Sequence, residues 1–229
     1  MYGKVECQDG SKPREEIISI DGIAFAVIRF PKEKKQTPRM IRRVAKKWIR
    51  LGVRQILLPR DMQAVLWEKY HLTPISVVAL REQMAGEIVR CYLREQGICA
   101  SQSALVLYGE YVTGSVLRCA EQLCRTVRYC SLCFTYGAEG AARWLCKSYG
   151  VAVRVMQRID ETATLCICFS KEPPTVMIPT LNLSDPDLHV DYSDGRDEPL
   201  LAALLQSGVL AVKTLRVKGL TFSPEKADN

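Results

Sequence analysis

The succession of apolar runs in this 229-residue chain predicts an α/β protein, and three observations carry the prediction. From Ser103 onward, short strand-like runs alternate with helical patterns in the order β-α-β-α-β-β, which implies a parallel sheet with right-handed crossovers. Residues 127–134 hold almost no polar side chain, as a strand covered on both faces requires. The stretch Ala104-Leu-Val-Leu-Tyr-Gly-Glu-Tyr-Val-Thr-Gly114 reads as a strand, a tight turn and a helix start. In it Gly109 and Gly114 take the outer positions of a G-x-G-x-x-G fingerprint. The expected fold class is therefore α/β: a small N-terminal α/β region over residues 1–100, then a Rossmann-like parallel-sheet domain over residues 101–229.

Each element has a local reason. Two β-branched runs within residues 15–30 flank Asp21-Gly22, a hairpin signal. Thr37 offers an N-cap and Pro38 a first helical residue. The helix to Leu51 carries Ile41, Val44, Ala45 and Trp48 on one face, and Gly52 ends it. A strand over residues 53–58 is stopped by Pro59. Residues 75–96 have the phase of one long helix, closed by Gly97.

In the second region the expected strands cover residues 104–108, 127–134, 151–156 and 163–169, and the helices 114–126 and 138–149. Residues 176–178 resume the strand pattern briefly. Residues 183–198 read as an acidic surface loop and 199–207 as a helix capped by Gly208. A last strand covers 209–217, and the tail after Phe222 frays.

A chain with 48% hydrophobic and 25% charged residues is ordinary for a globular protein and long enough to bury a core. No apolar run reaches membrane-spanning length, and the N-terminus lacks the apolar core of a signal peptide. The expectation is a cytoplasmic protein with no membrane partner. Eight of the ten cysteines lie in apolar periodic segments and read as reduced thiols packed like small hydrophobes. Cys130 and Cys133 sit three apart on a strand, which turns them to opposite faces, so no metal is expected there.

The net charge of +7 suits an anionic partner. Residues 32–60 hold eleven Lys or Arg against Glu33 alone. Arg39, Arg42, Arg43, Lys46, Lys47 and Arg50 form a basic helix face that suits a nucleic-acid backbone or an acidic protein surface. A solvated face is the plainer reading. The acidic residues of 185–198 are a candidate counter-surface, within the chain or across a homodimer.

Three segments carry a resemblance: Leu105-Val-Leu-Tyr-Gly109, Ala142-x-x-Leu145-x-x-x-x-Gly150 before Val151-Ala-Val153, and Pro199-Leu-Leu201-x-x-Leu204-x-x-x-Gly208. Together they make residues 103–215 similar to the cofactor domain of the shikimate dehydrogenase and glutamyl-tRNA reductase group. The resemblance implies a dinucleotide site, yet the departures fall at functional positions. Tyr111 replaces the middle glycine, through which a pyrophosphate approaches the backbone. The loop Phe134-Thr-Tyr-Gly-Ala138 has neither the group's NADP-selecting arginine nor an acid for an NAD ribose. Ser170-Lys-Glu stands where the group has an Asn-Ala-Thr-like turn. The first half lacks the group's catalytic lysine and Asn-Thr-Asp-like motifs, so no catalytic residue is carried over.

His71 and His189 are the only histidines, and no hydrolase-like triad or His-Glu-x-x-His motif is present. His189, between Asp187 and Asp191, reads as part of a solvated loop. The sequence thus points to a non-catalytic, dehydrogenase-like protein that binds a protein partner or an atypical ligand in a cleft between its halves. Gly109, Tyr111, Gly114, Thr135 and Gly137 are the candidate contact residues, and no cofactor is expected. Two alternatives stand beside it. One is an NAD(P)-dependent oxidoreductase with an unusual fingerprint, and the other a nucleic-acid-associated protein using the basic helix 38–51.

Overall fold

The computed structural model describes residues 1–9, 12–31, 37–59 and 65–222, leaving aside the side chains of 65 and 66. The basic residues Lys32, Lys34, Lys35 and Arg60 and the tail after Phe222 lie outside the described residues. Contacts divide the chain into two compact units, Met1–Val77 with Pro199–Ala211 and Val78–Glu198 with Val212–Asn229. The first break falls at residue 77, inside the 75–96 segment that the sequence assigns to the N-terminal region, and puts most of that segment in the second unit.

The first unit is built on β1 (Tyr2–Gln8), β2 (Arg14–Ile20), β3 (Ile23–Pro31), α1 (Pro38–Arg50), β4 (Gln55–Leu57), α2 (Val65–Glu68) and β5 (Thr73–Pro74). The strands form one sheet in the order β2-β3-β1-β4-β5, with β2 antiparallel to β3 and the other pairs parallel. Asp21 and Gly22 both take positive φ, 50° and 80°, as a two-residue hairpin of primed type demands. The Thr37 side chain accepts from the Met40 N–H, and Pro38 opens α1. Ile41, Val44, Ala45 and Trp48 bury one face of α1. Trp48 stacks on Trp67 with centroids 5.5 Å apart. A Cβ at Gly3 would stand 2.6 Å from the Trp48 ring, so that glycine lets the helix close on β1.

β1 has no counterpart in the sequence reading, because Lys4 and Glu6 interrupt its apolar pattern. The structure satisfies both in place. Glu6 sits opposite Arg29 on β3 and binds it at 2.7 Å, and Lys4 reaches Glu6 at 2.9 Å. Burial pushes the Glu6 carboxyl up, but hydrogen bonds from Lys4 and Arg29 outweigh it and leave the group below its usual range.

The second unit contains α3 (Val78–Gln83), α4 (Ala85–Glu95), β6 (Ala104–Tyr111), α5 (Gly114–Leu123), β7 (Tyr129–Tyr136), α6 (Ala138–Tyr149), β8 (Arg154–Val155), β9 (Leu165–Cys168), β10 (Thr180–Asn182) and β11 (Leu188–Tyr192). The chain continues through α7 (Glu198–Gln206) to β12 (Val217–Phe222). The long helix expected over 75–96 starts later and divides at Met84. Its first residues are claimed by the sheet, since the Ile75 N–H donates to Ile56 O at 2.9 Å.

Strands β6 to β10 form an all-parallel sheet in the order β10-β9-β6-β7-β8, the doubly wound arrangement, with the order reversing between β6 and β9. The protein is thus a mixed α/β molecule with a Rossmann-like sheet. Helices α5 and α6 serve the crossovers β6–β7 and β7–β8, which right-handedness places on one face. Val116, Cys119, Ala120 and Leu123 of α5 and Ala138, Ala141 and Leu145 of α6 are buried. The other two crossovers, residues 156–164 and 169–179, contain no helix. They line the opposite face with Ala163 and Ile178 against Val106, Cys133 and Cys166.

Three corrections concern the C-terminal third. The acidic segment is not all loop, because residues 188–192 form β11, antiparallel to β12. Its apolar positions Leu188, Val190 and Tyr192 are buried while His189 and Asp191 alternate outward, so His189 belongs to a strand. The last strand begins at Val217, not at 209, and residues 176–178 precede β10 and are not themselves a strand. Helix α7 lies where expected and packs Leu200, Ala203 and Leu204 against Phe25, Val27 and Ile75 of the first unit.

Arg81 is the buried anchor of the second unit. Its Nε and Nη2 donate to the two Glu198 carboxylate oxygens at 2.8 and 2.9 Å. The remaining donors reach the carbonyls of Leu183, Asp185 and Leu188 at 3.2, 2.6 and 2.5 Å. All five guanidinium N–H groups are therefore used, which is the condition for a buried charge to be tolerated.

Candidate functional site at the carboxyl edge of the parallel sheet

In an open α/β sheet, ligands bind outside the carboxyl ends of the strands where the strand order reverses. Here that place lies beyond β6 and β9. Strand β6 does not end at Tyr108 in a tight turn. It continues to Tyr111, with Gly109 opposite Phe134 and Tyr111 opposite Tyr136 on β7, and the Val112 N–H donates to Tyr136 O at 3.1 Å. Only Val112 and Thr113 connect β6 to α5.

Gly109 has a packing reason rather than a turn reason. A Cβ there would lie 2.7 Å from Phe134 Cε1 and 3.5 Å from Phe169 Cβ. The two phenylalanine rings, with centroids 6.4 Å apart, close over the end of β6. The Phe134 ring thus packs directly on Gly109, while Tyr111, at the position of the pyrophosphate-approach glycine, is a strand residue paired with Tyr136. Gly114 begins α5 behind its Thr113 cap, and a Cβ on it would meet open space, so it serves no close helix–strand contact. Gly137 takes φ 87° at the head of α6, a left-handed conformation that favours glycine.

Gly109, Thr135 and Gly137 line one cavity of about 610 Å³ together with Tyr108, Phe134 and Glu139. Glu139, in the first turn of α6, brings a carboxylate that the sequence reading passed over. Tyr111 lines a separate crevice of about 240 Å³ with Glu82, Glu110, Thr113, Phe169 and Lys171. Gly114 borders neither. Tyr111 and Tyr136 are 57% and 55% exposed, and their rings stack at 5.0 Å with 17° between planes. That pair is a flat aromatic surface exposed to solvent.

The electrostatics of the crevice are acidic. Burial lifts the Glu82 carboxyl above its ordinary range. The Glu110 carboxylate, accepting from the Tyr111 hydroxyl, lifts that phenol as well. Two carboxylates, one phenol and the Lys171 ammonium favour a guest with a positive group over a phosphate. Glu82 and Lys171 come from α3 and from the segment after β9, too far apart in sequence for any spacing to pair them.

The cysteines offer no activated nucleophile nearby. None of the ten is in a disulfide among the described residues. Burial pushes the Cys130 and Cys166 thiols up to about 12, and Cys133 and Cys168 shift the same way. Such thiols stay protonated at neutral pH. Cys130 lies near Cys119 of α5 whereas Cys133 packs with Val106 on the opposite face, as a separation of three requires.

On the first unit, Arg39, Arg42, Arg43, Lys46, Lys47 and Arg50 are all exposed along α1. Lys47 binds Glu15 of β2. Among the described residues the other five have no ion pair.

No family model and no curated protein matches the chain. Among solved structures it is similar to an L-tryptophan dehydrogenase from Nostoc punctiforme, with a TM-score of 0.31 and 13% identity. The match covers 64% of this chain and 44% of that dehydrogenase, less than half its length. The fold assignment therefore stands on the strand order above. No helix among the described residues is long and apolar enough to cross a membrane.

Proposed function

We propose that this protein is a non-catalytic member of the Rossmann-like class that binds a partner or ligand through a positively charged group at the carboxyl edge of its parallel sheet. The observation that carries this reading is the Phe134 ring seated 2.7 Å from where a Gly109 Cβ would be, with Glu82 and Glu110 lining the adjoining crevice. A dinucleotide needs a glycine for the backbone approach, where Tyr111 stands here, and an anion-friendly helix terminus, whereas the crevice before α5 is lined by Glu82 and Glu110. A lysine, arginine or amine gains two carboxylates and the face of the Tyr111–Tyr136 pair.

The test is a titration with short peptides carrying a single central Arg, Lys or norleucine, read by calorimetry. Charged peptides are expected to bind, and Glu82→Gln with Glu110→Gln to weaken them by about tenfold, or ~1.4 kcal/mol. Equal affinity for the norleucine peptide would sink the proposal.

A second reading rests on the five cations of α1 that have no ion pair among the described residues, which suit a nucleic-acid backbone. It predicts affinity for duplex DNA that falls steeply with salt and is lost in Arg42→Glu with Lys46→Glu. Binding that ignores either salt or the double substitution removes it.

A further inference from the structure

The parallel sheet carries helices on one face only, and the bare part of the other face is a cavity. The crossover from β8 to β9 is the coil 156–164, and it covers β6 and β9 while leaving the amino-terminal halves of β6, β7 and β8 open. The opening has a volume of about 820 Å³, within the range of small-molecule sites. All-parallel sheets are ordinarily covered on both faces, so an open face on one is a place for a guest.

The floor is a cross-strand row. Val106 pairs with Ser131, and Ser131 with Arg154, so the three side chains share this face. Ser131 is 8% exposed, and its hydroxyl has no hydrogen-bond partner among the described residues. No fully enclosed side-chain N or O lacks a partner, so this hydroxyl opens into the cavity it lines. A hydroxyl in the middle of a parallel sheet, with no protein partner among the described residues and open to the cavity, is free to donate to a guest.

The walls add charge and a flat surface. Arg128 and Arg154 both line the cavity and are exposed. Asp160 is the carboxylate there, and it accepts from the Thr162 N–H at 2.9 Å and hydroxyl at 2.6 Å. It also lies close enough to Arg154 to feel its charge, so the cavity sets two guanidiniums against one carboxylate, a net positive lining. The Tyr129 ring is 58% exposed and carries the Arg128 guanidinium 5.1 Å from its centroid. Arg128 lies over one face of that ring, and a planar guest bearing an acid group would stack on the other face with the cation nearby.

We infer that this cavity binds a small planar aromatic anion, stacked on Tyr129, with its acid group toward Arg154 and the Ser131 hydroxyl. An aryl carboxylate and a nucleoside monophosphate share that chemistry. The site has no residue in common with the carboxyl-edge crevice, so either can fail without the other.

The test uses the full chain, isotope-labelled and followed by two-dimensional NMR. The probes are indole-3-carboxylate and adenosine monophosphate, each beside its neutral counterpart, indole-3-carboxamide or adenosine. Saturable shifts at the Ser131 and Arg154 amides are expected from at least one anion, about tenfold tighter than from its neutral partner. Arg154→Glu is expected to remove them, and Ser131→Ala to weaken them several-fold, with the spectrum otherwise unchanged. Arg154 is exposed, so its replacement leaves the fold intact, and Arg128→Gln gives an independent second variant. A response to the carboxylate alone identifies an aryl acid as the guest, and one to the monophosphate alone a nucleotide. No shift from either anion, equal shifts from the neutral compounds, or shifts that survive Arg154→Glu would overturn the inference.

Discussion

At the scale of single residues, Gly109 and Arg81 decide most. Gly109→Ala would drive a methyl into the Phe134 ring, an overpacking that costs about 1–3 kcal/mol. Denaturant unfolding is expected to show that loss and to show most of it recovered in Gly109→Ala with Phe134→Leu. A loss that the second substitution leaves untouched would mean the glycine is needed for its backbone. Arg81 and Glu198 form a buried, fully bonded pair, and removing one partner strands the other. Glu198→Gln is expected to cost about 3–5 kcal/mol, and Arg81→Met with Glu198→Leu clearly less than the sum of the two single changes.

Glu82 supplies a pH dependence. Its folded pKa is raised by burial, so protonation favours the native state and the penalty is present above the folded pKa. Glu82→Gln should therefore raise the melting temperature at pH 7, on the order of 1–3 °C, and leave it unchanged near pH 4. A fall at pH 7 would mean that the carboxylate has a stabilising partner.

At the scale of elements, what local chemistry specifies was legible and what pairing specifies was not. Asp21-Gly22 turns the hairpin, Thr37-Pro38 starts α1, and α6 spans the expected residues 138–149 between two left-handed glycines. Thr37→Ala is expected to cost about 1 kcal/mol, measured by thermal unfolding. By contrast β1 hides behind Lys4 and Glu6, whose partner Arg29 lies on another strand. Strand β11 hides within an acidic stretch because its partner arrives only with β12. The extension of β6 to Tyr111 is set by Tyr136 across the ladder, so a glycine placed like a phosphate turn became a strand residue. The carboxyl-edge cavities followed the same division. Gly109, Thr135 and Gly137 could be placed from sequence around one opening, whereas Glu82, Glu139 and Lys171 needed the fold.

At the scale of the molecule, the second unit combines a doubly wound strand order with two features that ordinary dinucleotide enzymes of this architecture do without. Phe134 and Phe169 pack at Gly109 on the carboxyl edge, and coil replaces the helices on one face. Each follows from particular residues, and on the proposed reading they separate the fold from the chemistry usually built on it. The most direct test of that separation is a calorimetric titration of the full chain with NADH and NADPH, in parallel with Phe134→Ala. No measurable binding to the native protein is expected at millimolar cofactor. Micromolar binding of either dinucleotide by the native protein would overturn that reading.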